Sequence, residues 1–172
     1  EMCIRDSLST ILAEGEKALI FTQYKEFGEY LSDYVRKRFG VPAPFLHGSL
    51  RREERDAMVD SFQSPDGPPI MVLSLKAGGT GLTLTAANHV IHYDRWWNPA
   101  VENQATDRAY RIGQTKDVQV RKLVCDGTIE ERIDDIISHK STMSDLVVST
   151  GETWLTELDD EQLQELFRLE VT

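Results

Sequence analysis

Residues 104 to 114 read Gln-Ala-Thr-Asp-Arg-Ala-Tyr-Arg-Ile-Gly-Gln. Two arginines three apart on a helix share a face, so Arg108 and Arg111 can both reach one polyanion across an interface. A guanidinium is always charged, bonds phosphate oxygens in pairs, and stabilises charge that spreads over a transferring γ-phosphoryl group. On an ordinary helix such a pair is a solvated face, so its meaning depends on what stands around it.

A second run, Ser74 to Leu82, reads Ser-Leu-Lys-Ala-Gly-Gly-Thr-Gly-Leu. Its three glycines remove the side chains that would keep a backbone away from a phosphate. Lys76 and Thr80 are the side-chain donors there, and Gly78, Gly79 and Gly81 offer N–H groups; the plainer reading is a tight strand-to-helix turn. Asp94 to Pro99 reads Asp-Arg-Trp-Trp-Asn-Pro, with paired tryptophans whose default role is packing. No G-x-x-x-x-G-K-[ST] phosphate loop occurs anywhere in the chain. Nor does an Asp-Glu pair follow an apolar strand, so the parts that would hold magnesium and orient water are missing.

These residues need a scaffold, and the hydrophobic pattern supplies one. Ala18 to Thr22 is a short apolar run suited to a strand buried on both faces of a parallel sheet. Phe27, Tyr30, Leu31, Tyr34 and Val35 recur at helical spacing, and Gly40 stops that helix. Phe45-Leu46 predicts a second strand, Glu53 to Phe62 a helix with Met58, Val59 and Phe62 inward, and Ser64 to Pro69 a loop. Ile70 to Leu73 and Val90 to Tyr93 predict further strands. Asn98-Pro99 starts the helix expected to carry Gln104, Arg108 and Arg111 as far as Gly113. Val118 to Val124 predicts a strand, and Ile129 to His139 a helix with Ile133, Ile136 and Ile137 inward. Beyond Ser141, Leu155, Leu158, Leu163, Leu166 and Phe167 suggest short amphipathic turns around Asp159-Asp160. Strands alternating with helices at this spacing imply an α/β fold, a parallel sheet with helices on both faces.

At 172 residues the chain suits one domain with an appendage. No apolar run approaches the ~20 residues of a membrane span. Cys3 and Cys125 are far apart and outside any C-x-x-C spacing, which argues against a disulfide framework or a zinc site and for a reducing, intracellular setting. His89 and His92 look like a metal pair, but in a strand positions i and i+3 point to opposite faces, so no metal site is expected. The net charge of −10 divides unevenly, as −2 over residues 1–60, +2 over 61–122 and −10 over 123–172. The centre that carries the motifs can therefore meet phosphates although the whole chain is acidic. Residues 1–7 fit no periodic pattern and are expected to be a non-native or disordered leader, followed by a lobe over 8–141 and an acidic helical brace or tail over 142–172.

Together with Lys17 to Tyr24 and the Phe-Leu-His-Gly-Ser of residues 45–49, these motifs resemble, in order and spacing, the second RecA-like lobe of SWI/SNF-type ATPases. Those are superfamily two helicase-like DNA translocases. The resemblance runs from about Ile11 to Leu169, and residues 151–158 most resemble the tails of bacterial members. It implies a RecA-like lobe with a C-terminal helical brace, and ATP and Mg2+ held mainly by a first lobe that supplies the missing phosphate loop. Gln104, Arg108 and Arg111 match the family's final motif, where the arginines act on the γ-phosphate when the lobes close. Gly79, Gly81 and Asp107 are implied on the nucleotide side. Ser74, Lys76, Gly78, Thr80, His47 and Arg51 are implied to contact nucleic acid, with Arg52 adding to them and Gln23 near the cleft. Trp96 and Trp97 are implied to fix the loop leading to the arginines. The family often has His at position 110 and Asn at position 83, where this chain has Tyr and Thr.

The activity implied is ATP-driven translocation on double-stranded DNA through backbone contacts without sequence specificity, remodelling DNA-bound proteins such as polymerase or nucleoid proteins. This chain alone is expected to hydrolyse ATP negligibly. The location implied is the nucleoid-associated cytoplasm in a bacterium or the nucleus in a eukaryote. Two rival readings are a lobe of a strand-separating superfamily two helicase and a non-catalytic module that holds nucleic acid or protein. Residues 94–99 and 111–114 favour the SWI/SNF-type pattern over the first, and the intact Gln104, Arg108 and Arg111 speak against the second.

Overall fold

The computed structural model describes residues 4–75, 82–94, 99–125, 127, 128, 130, 131 and 134. In chain order the elements are α1 (Ile4–Ala13), β1 (Ala18–Thr22), α2 (Lys25–Phe39), β2 (Phe45–Leu46), α3 (Arg52–Gln63), β3 (Ile70–Ser74), β4 (His89–His92), α4 (Pro99–Thr106) and β5 (Gln119–Lys122). The strands form one sheet in the order β2-β3-β1-β4-β5, and every pairing is parallel. Residues 76–81, Trp96 and Trp97, most of the helix expected over 129–139 and the brace expected over 142–172 lie outside the described residues.

The apolar strands divide their side chains between two cores, as period-two alternation requires. Leu19, Phe21, Met71, Leu73 and Val90 point to one face, where Phe62 and Met58 of α3 and Ala105 of α4 cover them. Ala18, Ile20, Ile70, Val72 and Ile91 point to the other, beneath Leu8 and Ile11 of α1 and Leu31 and Val35 of α2. Helices thus cover both faces. Each fully buried Leu, Ile or Phe contributes roughly 1.5–3 kcal/mol, so both layers are needed to hold a sheet of such short strands.

The chain leaves β1 toward β3 and β2, then crosses back over β1 to β4 and β5. The strand order reverses beside β1, and the carboxyl ends of β1 and β4 flank that switch point. In open α/β sheets this is where ligands and partner domains meet the sheet.

Three expectations are corrected. Of the leader expected over 1–7, residues 4–7 belong to a helix: α1 begins at Ile4, and Ser7, Leu8 and Ile11 are buried. Ile4, Leu8 and Ile11 make a helical stripe against the sheet, which the polar residues between them conceal. In α2 the buried line is Gly28, Leu31 and Val35, while Phe27, Tyr30 and Tyr34 are exposed, Tyr30 to 77%. The small Gly28 brings the helix against Phe45 and turns the aromatics onto its flank, where Phe27 meets Tyr93 at 4.8 Å and Tyr34 meets Phe39.

The third correction concerns α4, which ends at Thr106 rather than Gly113. Past it the backbone tightens: the N–H groups of Arg108 and Ala109 reach Ala105 O at 3.3 Å and Thr106 O at 3.0 Å, three residues back. The carbonyl of Arg108 leaves the helical ladder to accept from Leu84 N at 2.9 Å. Arg108 and Arg111 therefore do not share a helical face.

Candidate active site

The arginines lie in the loop between α4 and β5, and local packing gives them different surroundings. Ala105 and Ala109 are both buried in the core shared with α3. This anchors the last turn of α4 and carries Arg108 inward, where it is only 5% exposed. Arg111 is exposed, as are Gln104, Asp107 and Tyr110. Burial, and then the nearby charge of Arg111, hold the Arg108 guanidinium below its ordinary pKa. The two cations are thus close enough to disfavour each other, even without a common helix.

The loop's return to the sheet is fixed by Gly113 and Gln114. Gly113 has φ 104°, a conformation that side-chain-bearing residues rarely adopt, and Gln114 N donates to Arg111 O at 3.0 Å. The Gln114 amide then donates to Thr85 O at 3.1 Å, Ala87 O at 2.8 Å and Ala109 O at 3.2 Å. Its Oε1 accepts from Lys116 N at 3.0 Å. On α4 the buried Glu102 pairs with Lys122 of β5 at 2.8 Å, tying the helix to the edge strand.

A second group gathers at the carboxyl ends of the strands. Asp94, 8% exposed, follows β4 and bridges the switch point: Thr22 Oγ1 donates to its Oδ2 at 2.5 Å, and Gln23 N donates to its Oδ1 at 3.0 Å. Burial pushes the Asp94 carboxyl above its usual pKa, against the hydrogen bonds from Thr22 and Gln23. Ser74 stands beside Thr22 in the register of β1 and β3. His47 follows β2 at the same edge, its ring 5.1 Å from that of Phe45. His92 Nε2 meets Thr106 Oγ1 at 3.0 Å while its ring stacks on Phe21, which links this edge to the end of α4.

The structure therefore places Ser74, His47 and Gln23 along one sheet edge, Gln104 near the end of α4, and Asp107, Arg108 and Arg111 in the loop that follows. Arg51 lies at the start of α3, where its Nη2 pairs with Glu54 at 3.0 Å and its own N–H donates to Glu54 Oε2 at 2.9 Å. It is a solvent-facing helix start already engaged with a carboxylate. Lys76, Gly78, Gly79, Thr80 and Gly81 lie outside the described residues. Sequence reasoning missed Asp94 and Thr22 as a linked pair, although a carboxylate directly after an apolar strand was the available signal. It also gave Gln114 no role of its own.

Among the described residues, Glu14, Glu16 and His89 approach one another closely enough to ligate an ion, but Glu16 and His89 are already engaged with other partners. His89 Nε2 faces Glu16, its Nδ1 accepts from Arg121 Nη1 at 2.9 Å, and Lys116 Nζ binds Glu16 at 3.3 Å. His89 and His92 do point to opposite faces of the sheet, as expected from strand spacing, and so form no ligand pair.

Residues 3–113 match the model of the helicase conserved C-terminal domain. YwqA of Bacillus subtilis is 55% identical over 165 residues, 96% of this chain and 18% of YwqA. The human chromatin-remodeling ATPase INO80 is 40% identical over 171 residues, 94% of this chain and 11% of its own length. The SWI2/SNF2 ATPase core of Sulfolobus solfataricus superposes with a TM-score of 0.80 at 41% identity, covering 98% of this chain and 34% of that one. The same core in complex with double-stranded DNA also gives 0.80, at 42% identity, covering 98% and 35%. The chain thus spans under a fifth of these two relatives.

Proposed function

The chain belongs to the helicase conserved C-terminal domain family, as a SWI2/SNF2-type ATPase lobe with a RecA-like fold, and from that premise we propose that it is the arginine-supplying half of an ATP-dependent double-stranded DNA translocase. The observation that carries this reading is the arginine pair: Arg108 is buried, and Arg111 adds a like charge nearby. A polyphosphate offers oxygens that can pair with both guanidinium groups at once. In the proposed closed state Arg108 and Arg111 stabilise the charge on the transferring γ-phosphoryl group, and Gln104 contacts the same nucleotide.

Among the described residues, the carboxylate that follows an apolar strand is not placed to hold magnesium. Asp94 is the carboxylate after an apolar strand, and its oxygens accept from Thr22 and Gln23 in a buried setting. ATP and Mg2+ belong, in this reading, to a first lobe whose phosphate loop this sequence does not contain. Ser74 and His47 at the sheet edge, with Lys76, Gly78 and Thr80 and Arg51 nearby in sequence, take the DNA backbone. Such contacts carry no base information, so binding is independent of sequence and weakens steeply with salt. DNA-bound proteins are the objects displaced by the motion.

The test compares this chain alone with the chain joined to its native upstream lobe, in steady-state ATP hydrolysis with and without duplex DNA. The isolated chain is expected to turn over negligibly and the joined protein to be stimulated by DNA. A turnover of roughly one per second, within the range of ordinary enzymes, from the isolated chain contradicts the proposal. Separation of a labelled duplex by the joined protein favours the strand-separating reading instead.

A further inference from the structure

We propose that Gln114 is a positioning residue for the arginine pair, setting the register of the loop that presents Arg108 and Arg111. The inference rests on the reading of those arginines given above. Three carbonyls, Thr85 O, Ala87 O and Ala109 O, surround the two N–H groups of the Gln114 amide at 3.1, 2.8 and 3.2 Å. One hydrogen is therefore shared. Ala109 directly follows Arg108, so one side chain joins the loop's beginning, its own end and the 85–87 segment beneath.

That segment is a firm base. Ala86 N donates to Gln63 Oε1 of α3 at 2.9 Å, and Asn88 N and His89 N both approach Lys17 O at 3.3 Å. In the loop above it Ile112 is fully exposed, and Arg111, Ile112 and Gly113 are all solvent-facing. The bond from Leu84 N to Arg108 O at 2.9 Å and the Gln114 amide both seat this loop on the base. The Leu84 bond fixes the backbone at Arg108, whereas Gln114 fixes where the chain returns after Arg111. A guanidinium displaced by about 1 Å from its productive place loses about two orders of magnitude in rate. Losing the amide donors therefore lowers turnover while leaving the residues that hold ATP and DNA untouched.

The experiment uses the full-length protein with its upstream lobe and compares wild type, Gln114→Met, Gln114→Glu, Arg111→Ala and the double variant Gln114→Met/Arg111→Ala. Gln114→Glu keeps the size and the acceptor toward Lys116 N but removes both donors. It covers the case in which Gln114→Met does not fold. The readouts are DNA-stimulated kcat, KM for ATP and Tm. Both Gln114 variants are expected to lose at least tenfold in kcat with KM within twofold, and Gln114→Met is expected to cost less in the Arg111→Ala background than in the wild type. Wild-type kcat in Gln114→Glu, or a lower Tm with kcat per folded molecule unchanged, overturns the positioning role. An additive loss in the double variant also overturns it. If Arg111→Ala itself leaves kcat intact, the reading of the arginines fails, and that outcome is distinct from failure of Gln114 alone.

Discussion

At the scale of single residues, buried or bridged charges are controlled by their immediate partners. Glu16 is held at a pKa of about 2, first by the hydrogen bond with His89, then by Asn88 and Lys116. Because the folded value lies below the ordinary value of 4.5, Glu16 contributes stability that is full above pH 4.5 and is lost as pH falls toward 2. Asp94 acts in the opposite sense: its raised value means that its ionised form is the less favourable one in the fold. Thermal melts of wild type and Glu16→Gln across the acid range should therefore differ most near neutral pH and converge toward pH 2; a gap that does not change with pH contradicts the assignment. Arg108 and Arg111 stood out in the sequence by type and spacing, although the shared helical face that this spacing implied is absent. Their unequal burial was not legible, because it depends on a carbonyl captured by Leu84, a partner 24 residues upstream in the sequence. Asp94 was legible only as a carboxylate after a strand; its bonds to Thr22 and Gln23 come from strand order.

At the scale of elements, the apolar runs identify β1, β3 and β4, because strands buried on both faces leave few polar residues to confuse the pattern. Helix faces are harder to read where a glycine sets the contact. A Cβ built on Gly28 would stand 2.2 Å from the Phe45 ring, so alanine there forces that ring, and its neighbour His47, to move. The helix gains about 1 kcal/mol from replacing glycine by alanine, while overpacking costs about 1–3 kcal/mol. The clash therefore wins, and Gly28→Ala is expected to lower Tm; a raised Tm would show that Phe45 yields without cost. The aromatic residues of α2 misled for the same reason, since size suggested burial where closeness of approach decided it. The end of α4 was overestimated by seven residues because Asp107 to Ile112 contains no strong helix breaker, and tertiary capture of the Arg108 carbonyl overrode local propensity.

At the scale of the whole molecule, the two-faced parallel sheet and the switch point beside β1 place His47, Ser74, Gln23 and Asp94 on one edge, while α4 carries the arginine loop away from that edge to the 84–87 segment. The lobe architecture and its SWI2/SNF2 character were legible in the motifs, because order and spacing survive where individual contacts vary. What spacing left out was the tether by Gln114, a side chain that reads as ordinary polarity until the fold brings three carbonyls around it. The central claim is that this lobe completes a nucleotide site formed mainly by another lobe. It is tested most directly by DNA-stimulated ATP hydrolysis of the full-length protein, comparing wild type with Arg111→Ala at matched salt while following ATP binding separately. The account predicts that ATP still binds and that turnover falls by about 10³, roughly 4 kcal/mol of transition-state stabilisation. Unchanged turnover would contradict it and leave the arginines as surface charge on a binding module.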